Sequence, residues 1–234
     1  MKPAPSASEA DDPWHRGMAV VAVLLALALV VLGSLVGSGP LPIDLSIREA
    51  LSVGGPVPLP LDLLNTVGDP LVWDGAVVLL AAAVWLRGRR IEAAWIAGGL
   101  IVAELLATAI KVVVDRPRPP GIVVTDWITQ ASFPSGHATR AAATGILLVM
   151  FWPFGRRSRL LLALVAVVAV VVAALMGLAR IVAGEHWPTD VLGAYLLVGA
   201  LAATAAAMPE RIRRTGPARP ATPAVETPGL PPPP

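Results

Sequence analysis

Long apolar runs alternate with short polar segments along most of the chain. Six of these runs are close to the roughly 20 residues that an α-helix needs to cross a bilayer. They cover residues 17–37, 70–86, 91–114, 137–152, 160–178 and 189–208. The pattern therefore predicts an all-α fold, a bundle of six transmembrane helices that occupies residues 17–208.

The two ends of the chain differ from this central region. Residues 1–16 are polar and rich in Pro, Ala and Ser, and residues 209–234 are rich in Pro without apolar periodicity. We expect both to be disordered extensions. A cleaved signal peptide is the rival interpretation of the first apolar run, but signal-peptide cores span only about 7–15 residues. A membrane-spanning first helix is therefore favoured.

The composition is that of a membrane protein rather than a soluble domain. Hydrophobic residues make up 56% of the 234 residues and charged residues 15%, and the mean hydropathy is +0.72. Soluble domains are about a quarter charged. The formal net charge is +2, but the basic residues fall in short clusters between apolar runs, so we expect no nucleic-acid partner. The chain has no cysteine, which excludes disulfides and cysteine-ligated metals.

Clusters of arginine indicate how the helices are oriented. Three clusters, in residues 87–90, 156–159 and 211–214, fall at alternate helix ends on the side of the N-terminus. By the positive-inside rule this side faces the cytoplasm, which predicts a multi-pass protein of the plasma (inner) membrane with both termini cytoplasmic. The outer side carries a Pro-rich loop over residues 38–69. An aromatic belt at the headgroup level is expected there from Trp73, Trp127 and Trp187.

Basic residues on the outer side break this rule, so they need another reason to exist: Lys111, Arg116, Arg118, Arg140 and Arg180. Most of them belong to three segments at outer helix ends, residues 111–119, 134–137 and 180–190. Clustered cations are unfavourable unless an anion lies among them. A phosphoryl group is the natural candidate, because Arg presents forked donors to its oxygens and Lys adds a point charge. We therefore expect Lys111, Arg118 and Arg180 to bind phosphate at an active site on the extracytoplasmic face.

Ser135 and Gly136 precede the fourth helix and add to this predicted anion site. The Ser135 hydroxyl and the backbone N–H groups beside it are expected to point at the same anion from the positive end of the helix. Gly136 has no side chain and lets the backbone approach the anion closely.

Two histidines in these segments can divide the chemistry of phosphoryl transfer. Asp190 lies one helical turn beyond His186. An Asp that accepts a hydrogen bond from one imidazole nitrogen fixes the tautomer and makes the other nitrogen more nucleophilic. We therefore interpret His186 as the nucleophile that forms a phosphohistidine. His137 is then the general acid that protonates the leaving group and later the base that activates water. The three cations would stabilise the transition state.

The order and spacing of these residues resemble the three-part signature of the type 2 phosphatidic acid phosphatase superfamily. The motifs are Lys111-x6-Arg118-Pro119, Pro134-Ser135-Gly136-His137 and Arg180-x5-His186-x3-Asp190. The resemblance implies a six-helix membrane enzyme that needs no metal or other cofactor. It also implies a lipid phosphate as substrate, such as a polyprenyl diphosphate, phosphatidylglycerophosphate or phosphatidate.

The third motif departs from the family pattern at one position. The family often has Ser before the arginine, and this chain has Ala179. Because the resemblance implies that this Ser is a supporting phosphate contact, we expect a changed affinity rather than a loss of activity.

Several charged residues near the motifs have more than one interpretation. Arg140, one turn after His137, is expected to pair with an acid, although a contact with a second phosphate is the alternative. Glu104, two turns before Lys111, is a possible secondary site residue, and pairing with Thr108 or protonation are equally open. The remaining charges are interpreted as lying outside the site: Asp115 and Arg116 as solvated loop charges, and Glu185 as ambiguous.

Three other functions compete with that of a phosphatase. A zinc site built from His137, His186, Asp190 and Glu185 is opposed by the neighbouring cations. An anion transporter is disfavoured because transport sites lie near the bilayer midplane, whereas these motifs lie at helix ends. A non-catalytic scaffold is disfavoured by the complete set of motifs. The expected partners are thus a lipid phosphate substrate and membrane lipids, and the sequence leaves the identity of the lipid and the oligomeric state open.

Overall fold

A computed structural model describes residues 12–51, 57–122, 130–152 and 158–208. Eight helices and no strand occur in these ranges: α1 (Pro13–Val36), α2 (Pro42–Ala50), α3 (Leu59–Val67), α4 (Pro70–Leu86), α5 (Arg90–Val114), α6 (Gly136–Met150), α7 (Arg159–Val182) and α8 (Pro188–Ala207). The all-α prediction is therefore confirmed for the described residues. The predicted extensions at residues 1–11 and 209–234, the arginines at 156–157 and 211–214, and Trp127 lie outside them.

The long helices have the length and apolarity of membrane spans. Helices α1, α5, α7 and α8 each meet both requirements, and α3 with α4, which meet at a bend of 62°, form a fifth candidate as a pair. Helix α6 has only 15 residues. Large apolar side chains of α1 and α7, such as Val30 and Val170, face outward rather than into the core. The chain is therefore a membrane protein, and the crossing by all six predicted spans stays a prediction.

Helix boundaries differ from the predicted ones where local capping extends or starts a helix. Helix α1 begins at Pro13 because the Asp12 side chain accepts a hydrogen bond from the Trp14 backbone N–H (3.0 Å). The prediction of disorder is therefore wrong for residues 13–16. The loop predicted over residues 38–69 contains α2 and α3. Helix α2 starts with Pro42, and Asp44 accepts a hydrogen bond from the Leu41 backbone N–H (2.9 Å), an arrangement that stabilises the first turn.

Helix α8 is the central helix of the bundle and packs against α1, α2, α5, α6 and α7. Two buried apolar clusters hold it in place. One includes Ile96, Leu147, Phe151 and Val198, and Trp95 stacks on Phe151 with the ring centroids 4.7 Å apart. The other includes Leu29, Val36, Ala107, Phe133 and Leu197. This packing brings the C-terminal ends of α5 and α7 close to the N-terminal ends of α6 and α8, where the three motifs lie.

Candidate active site

A polar cavity of about 190 Å³ lies where these helix ends converge. Its lining draws on all three sequence motifs and includes Lys111, Arg118, Gly136, His137, Arg140, Arg180 and His186, together with Glu104 and Thr139. Two larger cavities between the described helices, of about 810 and 610 Å³, are lined almost entirely by apolar side chains and contain no motif residue. The polar cavity is therefore the candidate active site.

His186 and Asp190 form a buried pair beside this cavity. His186 Nδ1 lies 3.2 Å from Asp190 Oδ2, which also accepts a hydrogen bond from the Trp187 backbone N–H (2.8 Å). The pair forms because α8 begins at Pro188 and places Asp190 in its first turn, while His186 precedes the helix. Since Nδ1 is engaged by the carboxylate, Nε2 is the ring nitrogen that can attack a substrate.

Burial controls the protonation of His186. It lowers the pKa of the imidazole to about 3, against the opposing effect of Asp190, and the nearby charges of Lys111 and Arg118 lower it further. The imidazole is therefore neutral at physiological pH. A neutral ring carries the lone pair that a nucleophile needs.

His137 lies in the first turn of α6 and faces the bend between α3 and α4. A Cβ atom placed on Gly68, at the end of α3, would come within 2.6 Å of His137 Cδ2 and within 2.8 Å of Met176. Only a residue without a side chain leaves room for this approach. Gly68, which the sequence motifs do not include, thus lets the end of α3 pack closely on His137.

Protein acceptors hold each of the three predicted phosphate-binding cations. Lys111 Nζ donates to the carbonyl oxygens of Ala131 (2.8 Å) and Ser132 (3.4 Å). Arg118 Nη1 donates to the Glu185 carbonyl (3.0 Å), and burial lowers the pKa of Arg118 from its ordinary value, an effect that Glu185 opposes. These contacts orient the two side chains toward a common space.

Arg180 lies in the last turn of α7, which continues to Val182, four residues beyond the predicted helix end at Leu178. Its guanidinium forms an ion pair with the Glu185 carboxylate and donates to Asn65 Oδ1 (3.3 Å). Glu185, interpreted from sequence as ambiguous, is therefore a direct partner of a predicted site cation.

Arg140 is paired with two acids at the edge of the cavity. Its Nε lies 3.0 Å from Asp74 Oδ1 and also contacts the Glu104 carboxylate. The prediction that Arg140 pairs with an acid is confirmed. Glu104 pairs with Arg140, a partner that was not among the alternatives drawn from the sequence.

The backbone N–H of Ser135 contradicts the prediction, whereas the prediction that its hydroxyl contacts an anion stays a prediction. The Ser135 N–H donates to the Asp190 carbonyl (3.1 Å), so the prediction that this N–H points at an anion is wrong. The reason is that the turn before α6 packs directly on the first turn of α8. The buried Ser135 Oγ has no hydrogen-bond partner among the described residues. A buried hydroxyl of this kind can be satisfied by a bound ligand.

Arg116 is buried, and the prediction that it is a solvated loop charge is wrong. Its Nη1 lies 2.5 Å from Asp190 Oδ1 and its Nη2 lies 2.6 Å from Asp44 Oδ2. Sequence reasoning missed this contact because Asp44 lies in α2, within the segment interpreted as a loop. The one local signal was the Pro42-x-Asp44 start of a helix, which places a carboxylate in the first turn.

Trp187 is also buried, with 4% of its surface exposed, so its predicted place in an aromatic belt is wrong. Its indole Nε1 donates to the Pro117 carbonyl (2.9 Å). The guanidinium groups of Arg48 and Arg116 lie over its ring at 5.0 and 5.6 Å from the centroid. Trp187 therefore ties the Arg116 segment to the start of α8.

Comparisons with known proteins identify relatives for this arrangement. The family model of the PAP2 superfamily matches residues 92–214. The decaprenylphosphoryl-5-phosphoribose phosphatase of Mycobacterium tuberculosis is 38% identical over 118 residues, which cover 49% of this chain and 60% of that protein. Phosphatidylglycerophosphatase B of Escherichia coli is 41% identical over 117 residues, 49% of this chain and 41% of that protein. The matches thus span less than two thirds of these relatives.

A solved structure resembles most of this chain. The crystal structure of a transmembrane PAP2-type phosphatidylglycerolphosphate phosphatase from Bacillus subtilis superposes with a TM-score of 0.61 and 25% sequence identity. The superposition covers 77% of this chain and 92% of that one. The likeness therefore extends beyond the motif region to most of the helices.

Proposed function

Because this chain belongs to the PAP2 superfamily, we propose that it is an integral membrane phosphatase that hydrolyses a phosphomonoester or diphosphate of a lipid without a metal ion. The observation that carries the proposal is the buried His186–Asp190 pair beside a cavity lined by Lys111, Arg118 and Arg180. A neutral imidazole and three cations are the groups that nucleophilic attack on a phosphoryl group requires.

The proposed reaction has two steps. His186 Nε2 attacks phosphorus while the bond from phosphorus to the leaving oxygen breaks, and His137 gives its proton to that oxygen. Asp190 stabilises the positive charge that forms on the His186 ring. In the second step His137 takes a proton from water, the water oxygen attacks the phosphohistidine, and inorganic phosphate leaves. Lys111, Arg118 and Arg180 stabilise the charge on the phosphoryl oxygens in both steps.

The dimensions of the cavity support a substrate that keeps its tail in the bilayer. Pockets for drug-sized ligands have volumes of about 300–1,000 Å³, whereas this cavity has about 190 Å³. It can take a phosphorylated headgroup but not a whole lipid. The names of the relatives point to two substrate classes, polyprenyl-linked phosphates and phosphatidylglycerophosphate. We place this chain's substrate among these lipid phosphates, with phosphatidate as a third candidate.

The active site faces the outer leaflet of the plasma membrane in this proposal. Helix α5 carries Arg90 at one end and Lys111 near the other, and α7 likewise carries Arg159 and Arg180. At about 1.5 Å per residue each pair is separated by roughly 30 Å, the thickness of the hydrocarbon core. With the Arg90 and Arg159 ends in the cytoplasm, six spans place the motifs on the extracytoplasmic side.

A release assay tests the function. The purified protein in detergent, treated exhaustively with EDTA, is given a polyprenyl diphosphate, phosphatidylglycerophosphate and phosphatidate, and inorganic phosphate is measured. We expect release from at least one lipid and none from the folded His186→Ala variant. Loss of activity on chelation and its recovery with zinc would support the metal site instead. Binding of all three lipids without release would support a transporter or scaffold.

A further inference from the structure

Arg116 bridges two carboxylates that lie far apart in the sequence. It contacts Asp190 through Nη1 (2.5 Å) and Asp44 through Nη2 (2.6 Å), and all three side chains are 0% exposed. Arg116 Nη1 also donates to Thr189 Oγ1 (2.8 Å). A planar guanidinium that donates from two nitrogens to two partners fixes the orientation of both.

Asp44 is held as firmly as Asp190. Its carboxylate accepts hydrogen bonds from the Thr189 backbone N–H (2.8 Å), from Thr189 Oγ1 (2.8 and 2.9 Å) and from the Leu41 backbone N–H (2.9 Å). Asp44 therefore ties α2 to the first turn of α8, in which Thr189 and Asp190 lie. Helix α2 thereby becomes part of the structure that supports the candidate nucleophile.

The two oxygens of Asp190 have different partners. Oδ1 faces Arg116, and Oδ2 faces His186 Nδ1 and the Trp187 N–H. Rotation of the carboxylate would break all three contacts at once. The Arg116 contact therefore determines which oxygen of Asp190 contacts His186 Nδ1, and it determines the plane in which the Asp190 carboxylate lies.

Charge adds a second role for Asp44. Within the group formed by Arg116, Asp190 and Asp44, one arginine between two carboxylates leaves a net charge of about −1. Without Asp44, the Arg116–Asp190 pair would be neutral, and it would stabilise the positive ring of a phosphohistidine less. Asp44 thus preserves the negative charge that the proposed intermediate needs.

Neither Arg116 nor Asp44 lines the phosphate cavity, in contrast to Arg118, two residues further along the chain. We propose that Arg116 and Asp44 are positioning residues that hold Asp190 on His186 Nδ1 and so aim His186 Nε2 into the cavity. This inference rests on the proposed phosphatase function. It predicts an effect on the chemical step with little effect on substrate binding.

The test compares Arg116→Lys and Asp44→Asn with wild type in detergent, using the lipid that the release assay identifies. Arg116→Lys keeps the positive charge but removes the guanidinium that donates to two carboxylates at once. Asp44→Asn keeps the shape of the side chain but removes its negative charge. We expect kcat to fall about ten- to a hundredfold in each variant, because misplacing a reacting group by about 1 Å costs this much. KM should change less than about threefold, and formation of the phosphohistidine, trapped with labelled substrate, should slow in parallel with kcat.

Two controls separate positioning from a general structural role. Arg89→Met removes the ion pair with Glu92 (2.8 Å) at the other end of the bundle and should leave kcat unchanged. In a double-mutant cycle, Arg116→Lys added to Asp190→Asn should cost little beyond Asp190→Asn alone, since Arg116 acts through Asp190. Thermal unfolding and size exclusion establish which variants are folded, and Asp44→Asn alone decides the test if Arg116→Lys does not fold.

Several results would overturn the inference. These are wild-type kcat in folded Asp44→Asn, an effect confined to KM, or full additivity with Asp190→Asn. If wild type releases no phosphate from any lipid, the proposed function fails first, which distinguishes that outcome from a failure of the positioning role alone.

Discussion

The carboxylate of Glu185 forms an ion pair with the guanidinium of Arg180, five residues earlier in the chain, at the rim of the candidate active site. Arg180 is 6% exposed and is one of the three cations proposed to bind the phosphoryl group, so we expect a substrate phosphate to compete with Glu185 for it. In the proposed function, the Glu185 carboxylate compensates the charge of this buried arginine when no phosphate is bound.

Removing this competition should tighten phosphate binding. The Glu185 side chain is 32% exposed, and exposed ion pairs contribute up to about 1 kcal/mol, which corresponds to about a fivefold change in affinity. We expect Glu185→Gln to lower the inhibition constant of inorganic phosphate by up to about fivefold. Glu92→Gln, which removes the acid from the Arg89 pair, is the matched control. Weaker inhibition by phosphate in Glu185→Gln would show that Glu185 supports the site rather than competing in it.

Substituting the proposed nucleophile should remove turnover. His186→Ala deletes the ring that would form the phosphohistidine, and losing a covalent nucleophile costs several orders of magnitude in rate. His137→Ala should instead slow the release of a poor leaving group while the covalent intermediate stays detectable, since Nε2 of His186 remains. Both rates are measured on purified, folded protein with labelled lipid phosphate. More than a tenth of the wild-type rate in His186→Ala would contradict the assignment of the nucleophile.

Stability should depend on pH through His186. Its pKa is 6.5 in an exposed environment and about 3 in the folded protein. Between these values the unfolded chain binds a proton that the folded chain does not, so the free energy of unfolding falls as the pH falls from 6.5 toward 3. Above pH 6.5 both forms are neutral and this contribution no longer changes. The slope is about 1.4 kcal/mol per pH unit at most.

The measurement compares the melting temperature of wild type with that of His186→Gln across pH 3–7 in one detergent. The variant has no titrating ring at this position, so the wild type should lose more stability than the variant below pH 6.5. Parallel curves for the two proteins would show that His186 titrates near its ordinary pKa.

Sequence patterns were sufficient to predict the helices that contain the apolar runs. The start and end of α4 agree with the prediction, because Asp69 and Pro70 are strong local start signals and the arginines after Leu86 end the apolar run. Helices α2 and α3 were missed because they are short and lie in a Pro-rich segment, where the apolar faces depend on what the helices pack against. Tertiary packing of this kind leaves no periodic signal.

In the candidate site, too, local sequence patterns predicted some residues, whereas the position of others depends on tertiary packing. Lys111, Arg118, His137 and His186 could be predicted to converge, because their spacing places them all at helix ends on one face. Arg116 could not be placed, since its burial depends on Asp44, in a different part of the chain, and on Thr189, which lies 145 residues after Asp44. From sequence alone, an arginine next to a proline in a loop is predicted to be exposed to solvent, because its buried partners cannot be identified.

Substrate choice should respond to the acids that hold Arg140. Asp74 and Glu104 engage this arginine at the edge of the cavity, so we expect them to compete for it with the second phosphate of a diphosphate. The double substitution Asp74→Asn with Glu104→Gln should release it and raise the ratio of kcat/KM for a polyprenyl diphosphate over the monophosphate. A hydrogen bond between charged groups contributes about 1.5–3 kcal/mol, which corresponds to about tenfold or more. Adding Arg140→Gln should abolish the gain. An unchanged ratio would mean that Arg140 does not reach the substrate.

The orientation of the site can be tested because the chain has no cysteine of its own. Thr66, in α3, is exposed near the cavity end of the bundle, and Ser158 is exposed at the start of α7, next to Arg159. Replacing either residue with cysteine changes no charge and so leaves the positive-inside signal intact. With the arginine-bearing ends in the cytoplasm, a membrane-impermeant thiol reagent added to intact cells should label Thr66→Cys and spare Ser158→Cys. Permeabilised cells should label both positions. Labelling of Ser158→Cys alone in intact cells would reverse the topology and move the substrate pool to the cytoplasmic leaflet.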